Sequence, residues 1–182
     1  VKCDLVCDPV YSLNVPKLEK CAIVGVQLRD FKTVNYNLLQ KLAQLVCAKF
    51  SDKSIEVFSL QQSQDFQICS KFVSLLKNIN PEIQVDIVTE SIIDKISQLE
   101  YLFAMRYHSI LIALKAGIKT CAINYDIKVD KIASEYGIPK ISMSADENFE
   151  KIYQELLALD NEMIYYIANS KQFDWTEFDK IL

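Results

Sequence analysis

A chain of 182 residues, 51% hydrophobic with three glycines and four prolines, is long enough for one domain with a substantial core and leaves little room for disorder. Its formal net charge is −4, with Lys, Asp and Glu scattered rather than blocked, which excludes the basic stripe of a nucleic-acid surface. No apolar run approaches the roughly 20 residues of a bilayer span, and the start has neither the charged nor the apolar part of a signal peptide.

Residues 1–20, short apolar pieces broken by Pro9 and Pro16, read as an inter-domain linker, the tail of something upstream. Strand-like runs follow at 21–29, 54–61, 83–90, 101–105, 119–125 and 139–144. Helical patterns lie between them at 35–50, 65–78, 91–99, 109–116 and 129–136. Asn35, Asp65 and Ser91 suit helix N-caps, and Gly117 and Gly137 suit helix stops. Strands alternating with helices predict right-handed βαβ units, so 21–146 is expected to be a Rossmann-like α/β domain, a parallel sheet with helices on both faces. The tail, 147–182, reads as two helices ending in the aromatic patch Phe173, Trp175 and Phe178. It is expected to pack back on the sheet or to cross to a neighbouring domain.

Of six cysteines, Cys3 and Cys7 are four apart, with no second pair or histidine cluster to complete a zinc site, so no metal is expected. Cys21, Cys47, Cys69 and Cys121 fall in apolar segments, where a thiol acts as a small hydrophobe. This pattern suits a reduced, cytoplasmic chain.

In an open parallel sheet, ligands bind beyond the carboxyl ends of the strands. Eighteen of the twenty basic side chains are lysines, and the two arginines, Arg29 and Arg106, each follow a predicted strand. The planar guanidinium fork grips carboxylate or phosphate bidentately, which an ammonium cannot, although a structural ion pair is the competing reading for either. His108, the single histidine, stands where the strand after 101 turns into a helix. A helix N-terminus there offers amide donors and a positive dipole end to an anion. Lys128 opens the next helix, on the same rim if strand order is sequential, and is otherwise a solvated lysine. Asp65 is most simply a cap. No G-x-G-x-x-G, Walker loop or paired carboxylates occur, so nicotinamide, nucleotide hydrolysis and glycoside hydrolysis lose their usual signals.

The segment MRYHSILIALKAGIKTCAINYDIKV, 105–129, resembles the signature of polysaccharide pyruvyl transferases, especially the type that modifies secondary cell wall polymers. Arg106, His108, Gly117, Tyr125, Asp126 and Lys128 match it. Cys3 to Pro9, Val24 to Arg29 and Gln61 to Asp65 resemble further family stretches, while the tail shows little likeness. The resemblance implies the C-terminal half of a GT-B-like two-domain enzyme, inactive without its N-terminal domain. It implies phosphoenolpyruvate as donor, a sugar on a lipid-linked or polymeric cell-surface glycan as acceptor, and a pyruvate ketal as product. Under it His108 would be the general acid, Arg29 and Arg106 would hold phosphate and carboxylate, and Lys128 would add charge. No cofactor or metal is implied. The enzyme would be cytoplasmic or peripheral at the inner face of the membrane, with a homo-oligomer open.

Two other readings compete. One is a GT-B glycosyltransferase using a nucleotide-sugar donor; against it, no acidic residue is convincingly placed to hold a ribose. The other is a non-catalytic binding domain whose aromatic tail docks a partner.

Overall fold

A computed structural model describes residues 8–31, 34, 36–143 and 147–171. Asn35, Cys3, Cys7 and the aromatic patch lie outside the described residues.

Six strands form one sheet: β1 (Ile23–Gln27), β2 (Ser54–Phe58), β3 (Val85–Val88), β4 (Tyr101–Ala104), β5 (Lys119–Asn124) and β6 (Lys140–Ser142). All neighbours run parallel, in the order β3-β2-β1-β4-β5-β6. Each strand is shorter than its predicted run. Leu28 and Arg29 follow β1 outside the strand, while Met105, just after β4, still donates its N–H to the Gln27 carbonyl at 3.1 Å.

Helices α1 (Tyr36–Lys49), α2 (Gln62–Ile79) and α6 (Phe149–Leu157) cover one face, burying Leu42, Phe72 and Leu156 against Val24, Val26 and Phe103. Helices α3 (Ile92–Ser97), α4 (Tyr107–Lys115), α5 (Ile127–Tyr136) and α7 (Asn161–Ser170) cover the other, against Leu102, Ala104 and Ala122. Alternation along β1 sends Val24 and Val26 to the first face and Gly25 to the second. A Cβ on Gly25 would lie 2.4 Å from Leu99 Cδ1 and 2.9 Å from Leu102 Cδ1, so a side chain there would displace the leucines packed on this face of β1.

Helix α4 is deeply enclosed. Every residue from Ser109 to Lys115 is buried, which accounts for a segment apolar on all sides rather than on one stripe. It ends at Gly117, whose φ of +69° fits the left-handed stop expected there; Gly137 closes α5 in the same way, with a φ of +61°. Tail helices α6 and α7 pack back onto the sheet layers, α7 along α4.

Three local expectations need correction. Residues 8–20, read as a linker, lie on the domain: a 3₁₀ turn, Pro9–Ser12, and the strap after it bury Tyr11 and Val15 among α4 and α5. The reason is Lys115, buried on α4, whose Nζ donates to the Tyr11 carbonyl at 2.7 Å. Burial holds that ammonium below its ordinary pKa. Second, α2 starts three residues before the predicted boundary, so Asp65 sits within its first turn instead of capping it. Ser91 does precede α3, but in a left-handed conformation (φ 52°) and with no side-chain cap bond.

Third, the cysteines divide. Cys47, Cys69 and Cys121 are buried, whereas Cys21 is exposed. Burial raises all three buried thiols, Cys69 to about 12. Iodoacetamide at pH 8 should therefore modify Cys21 in the folded chain and leave Cys47, Cys69 and Cys121 unmodified until urea is added. Peptide mapping by mass spectrometry reads this directly.

Candidate functional site

The chain leaves β1 toward one face of the sheet and leaves β4 toward the other. Beyond these two adjacent strand ends a crevice opens. Gln27, the last residue of β1 and fully buried, spans it. Its Nε2 donates to the Leu28 carbonyl at 2.7 Å, and its Oε1 accepts the Arg106 backbone N–H at 2.7 Å. That bond fixes where Arg106 stands and where α4 begins.

The crevice widens into a cleft of about 510 Å3 lined by Arg29, Leu60, Gln61, Arg106, Tyr107, His108, Tyr125, Asp126 and Lys128. All four predicted site residues, from three different strand ends, thus meet in one cavity. β4 and β5 are neighbours, so the starts of α4 and α5 share a rim, as sequential strand order required.

Their engagements differ. Arg106, the N-cap of α4, directs its fork down onto Asp65: Nε donates to Oδ2 at 2.9 Å and Nη2 to Oδ1 at 2.7 Å. The Asp65 carboxylate is fully buried and also accepts the Gln61 N–H at 3.1 Å, while the Arg106 side chain is 18% exposed. The competing reading, an ion pair, therefore applies to Arg106: the bidentate grip expected for a donor is spent within the protein, and the pair adds little net charge to the cleft. Sequence reasoning missed this role of Asp65, because its partner is 41 residues away across three strands.

Arg29 is less committed. Its Nη1 donates to the Tyr125 hydroxyl at 3.0 Å, and the guanidinium lies beside the packed rings of Phe31 and Tyr125, 5.8 and 5.7 Å from their centroids. Its Nε is buried with no hydrogen-bond partner among the described residues. A buried cationic donor left unpaired is costly and invites an anionic acceptor.

The two helix starts also differ. Asp126 caps α5, its Oδ1 accepting from the backbone N–H groups of Lys128 at 2.9 Å and Val129 at 3.0 Å, so that helix end is closed. α4 has no side-chain cap. Its first-turn amides and dipole end are directed at the cleft beside His108. The ring of His108 is exposed, with Nε2 3.3 Å from Asp8 Oδ2, a partner 100 residues distant that the sequence did not suggest. Lys128 is exposed and makes no ion pair among the described residues. Among those residues no group of three or more His, Cys, Asp or Glu side chains could hold a metal, and no helix is long and apolar enough to cross a membrane.

No family model matches the chain, and no curated protein is similar enough to match it. Solved structures do match. The glycosyltransferase SnogD from Streptomyces nogalater is 12% identical with a TM-score of 0.54, over 86% of this chain and 40% of its own. TarM from S. aureus, solved with UDP and α-GlcNAc-glycerol among its ligands, is 14% identical with a TM-score of 0.57, over 87% of this chain and 33% of its own. The pneumococcal O-GlcNAc transferase GtfA, solved with UDP and GlcNAc, is 14% identical with a TM-score of 0.55, over 92% of this chain and 35% of its own. The chain thus spans two fifths or less of the length of these neighbours. At such identities the likeness is one of fold: the chain has the Rossmann-like architecture of one half of a GT-B glycosyltransferase.

Proposed function

We propose that this chain is the donor-binding half of a transferase of glycan assembly, and that its donor is phosphoenolpyruvate, whose pyruvyl group passes to a sugar as a ketal. The observation that carries the reading is one cleft in which Arg29, the uncapped start of α4, His108 and Lys128 converge, while the buried Asp65 is spent on Arg106. Such a cleft suits a small, multiply charged anion. The resemblance of 105–129 to pyruvyl transferases supports the same reading.

The chemistry follows from the residues. His108 delivers a proton to the methylene carbon of the enol phosphate, leaving an electrophilic centre at C2. A sugar hydroxyl adds there and gives up its proton. The C2–O bond to phosphate then breaks, its electron pair leaving on phosphate, and a second hydroxyl closes the ketal. One molecule of phosphate is released, and of the two hydroxyl protons one ends on the new methyl group and one on phosphate. Arg29, Lys128 and the α4 amides stabilise the departing charge. The acceptor is a sugar of a lipid-linked or polymeric cell-surface glycan, held with a second domain.

The solved neighbours favour a second reading, because TarM and GtfA carry UDP: a nucleotide-sugar donor in the same crevice. A thermal melt separates the two. Phosphoenolpyruvate at about 100 times its dissociation constant adds about 2.7 kcal/mol of stability, which raises Tm by roughly 5–10 °C in a chain of this size. A rise with UDP- or GDP-sugars and none with phosphoenolpyruvate establishes the second reading instead. No rise with either indicates a non-catalytic binding domain.

A further inference from the structure

His108 stands in the wall between two clefts. On one side is the donor cleft; on the other is a cavity of about 400 Å3 between the N-terminal strap and α5, which reaches Asp8, Lys131 and Glu135. Asp8 is delivered there by the strap. Its Oδ1 accepts the Val10 N–H at 2.9 Å, starting the 3₁₀ turn, and its Oδ2 is left to face His108 Nε2 at 3.3 Å. The strap in turn is fastened by buried Tyr11 and by the Lys115 ammonium on its carbonyl. A segment with so much burial behind one exposed carboxylate holds that carboxylate in place.

We propose that Asp8 is a positioning residue for His108: it holds Nε2, so that the proton exchanged with the donor passes through Nδ1. The assignment rests on the proton-transfer role given to His108 above. A carboxylate beside Nε2 keeps that nitrogen protonated in both charge states of the ring, which leaves Nδ1 as the site that gains and loses the proton. The other charged groups around the ring are Arg106 at the start of α4 and Asp126, Lys128, Lys131 and Glu135 of the α5 region. Arg106 is paired with Asp65 and Glu135 with Lys171, and Asp126 caps α5. Asp8 is thus the acid that meets the ring.

His108 is the single histidine, so its imidazole resonances are unambiguous in NMR spectra of the 182-residue chain. Long-range 1H–15N correlations across a pH titration should show Nδ1 losing its proton while Nε2 stays protonated. In Asp8→Asn, which retains the Oδ1 acceptor for Val10, an amide N–H donor replaces the Oδ2 acceptor at Nε2, so the proton of the neutral ring should move toward Nδ1. An unchanged tautomer in Asp8→Asn, or deprotonation at Nε2 in the parent chain, overturns the assignment. Neither readout needs the donor. Failure of phosphoenolpyruvate to bind would remove the pyruvyl reading and leave the Asp8–His108 coupling measurable on its own.

Discussion

Asp65→Ala is expected to lower the unfolding free energy by about 3–5 kcal/mol, the largest loss for any single polar substitution near the cleft. The Asp65 side chain is 0% exposed and its partner Arg106 18%, so both charges have left bulk water and each depends on the other. Removing the carboxylate strands a guanidinium over a cavity and frees the Gln61 N–H that it also held. The contrast is Lys17–Glu162, with side chains 43% and 78% exposed, where solvent screening leaves such a pair worth about 0–1 kcal/mol. Urea denaturation reads the difference: with a slope of about 2 kcal/mol per molar, the Asp65→Ala midpoint should fall by roughly 1.5–2.5 M. The double variant Asp65→Leu with Arg106→Met should recover much of the loss, because exchanging a buried pair for apolar groups is often neutral. A loss below about 1 kcal/mol for Asp65→Ala would show that the pair does not hold the cleft floor.

This pair also marks where sequence reading ends. The parallel sheet was legible because every buried strand is a short Val/Ile/Phe-rich run between helical patterns, and period is a local property. The convergence of Arg29, Arg106, His108 and Lys128 was legible too. It needed only that strand ends in such a sheet point one way and that β4 and β5 be neighbours. Which of these cations are free is decided by partners far away in sequence, Asp65 for Arg106 and Asp8 for His108, and no local pattern encodes them. Gln27 could have been found, since one amide in an otherwise apolar strand, at its carboxyl end, has to satisfy itself inside the fold. The strap could not. Its prolines read as linker punctuation, and its anchor is a lysine that by composition alone belongs in water. Cys21 failed for a similar reason: it opens an apolar run but precedes the strand, where burial has not yet begun.

In the enzyme containing this chain, His108→Ala should reduce turnover by roughly 10²–10⁴-fold, the usual worth of a positioned acid–base group. The substitution removes no more than an exposed ring, so stability and the phosphoenolpyruvate-induced rise in Tm should persist. Arg29→Lys should divide the other way. A lysine keeps the charge but loses the planar fork and the contact with Tyr125, so affinity should fall while a saturated enzyme still turns over. The opposing outcomes separate proton transfer from binding within one cleft. Their contrast also locates the charge that matters. If Arg29→Lys leaves donor affinity unchanged in calorimetry, the cation binding the donor is not Arg29, and the fork engaged with Asp65 would have to open for ligand. If His108→Ala turns over at the parent rate, the imidazole between the two clefts is structural, and the proton for the methylene carbon has to come from solvent or from the acceptor-side domain.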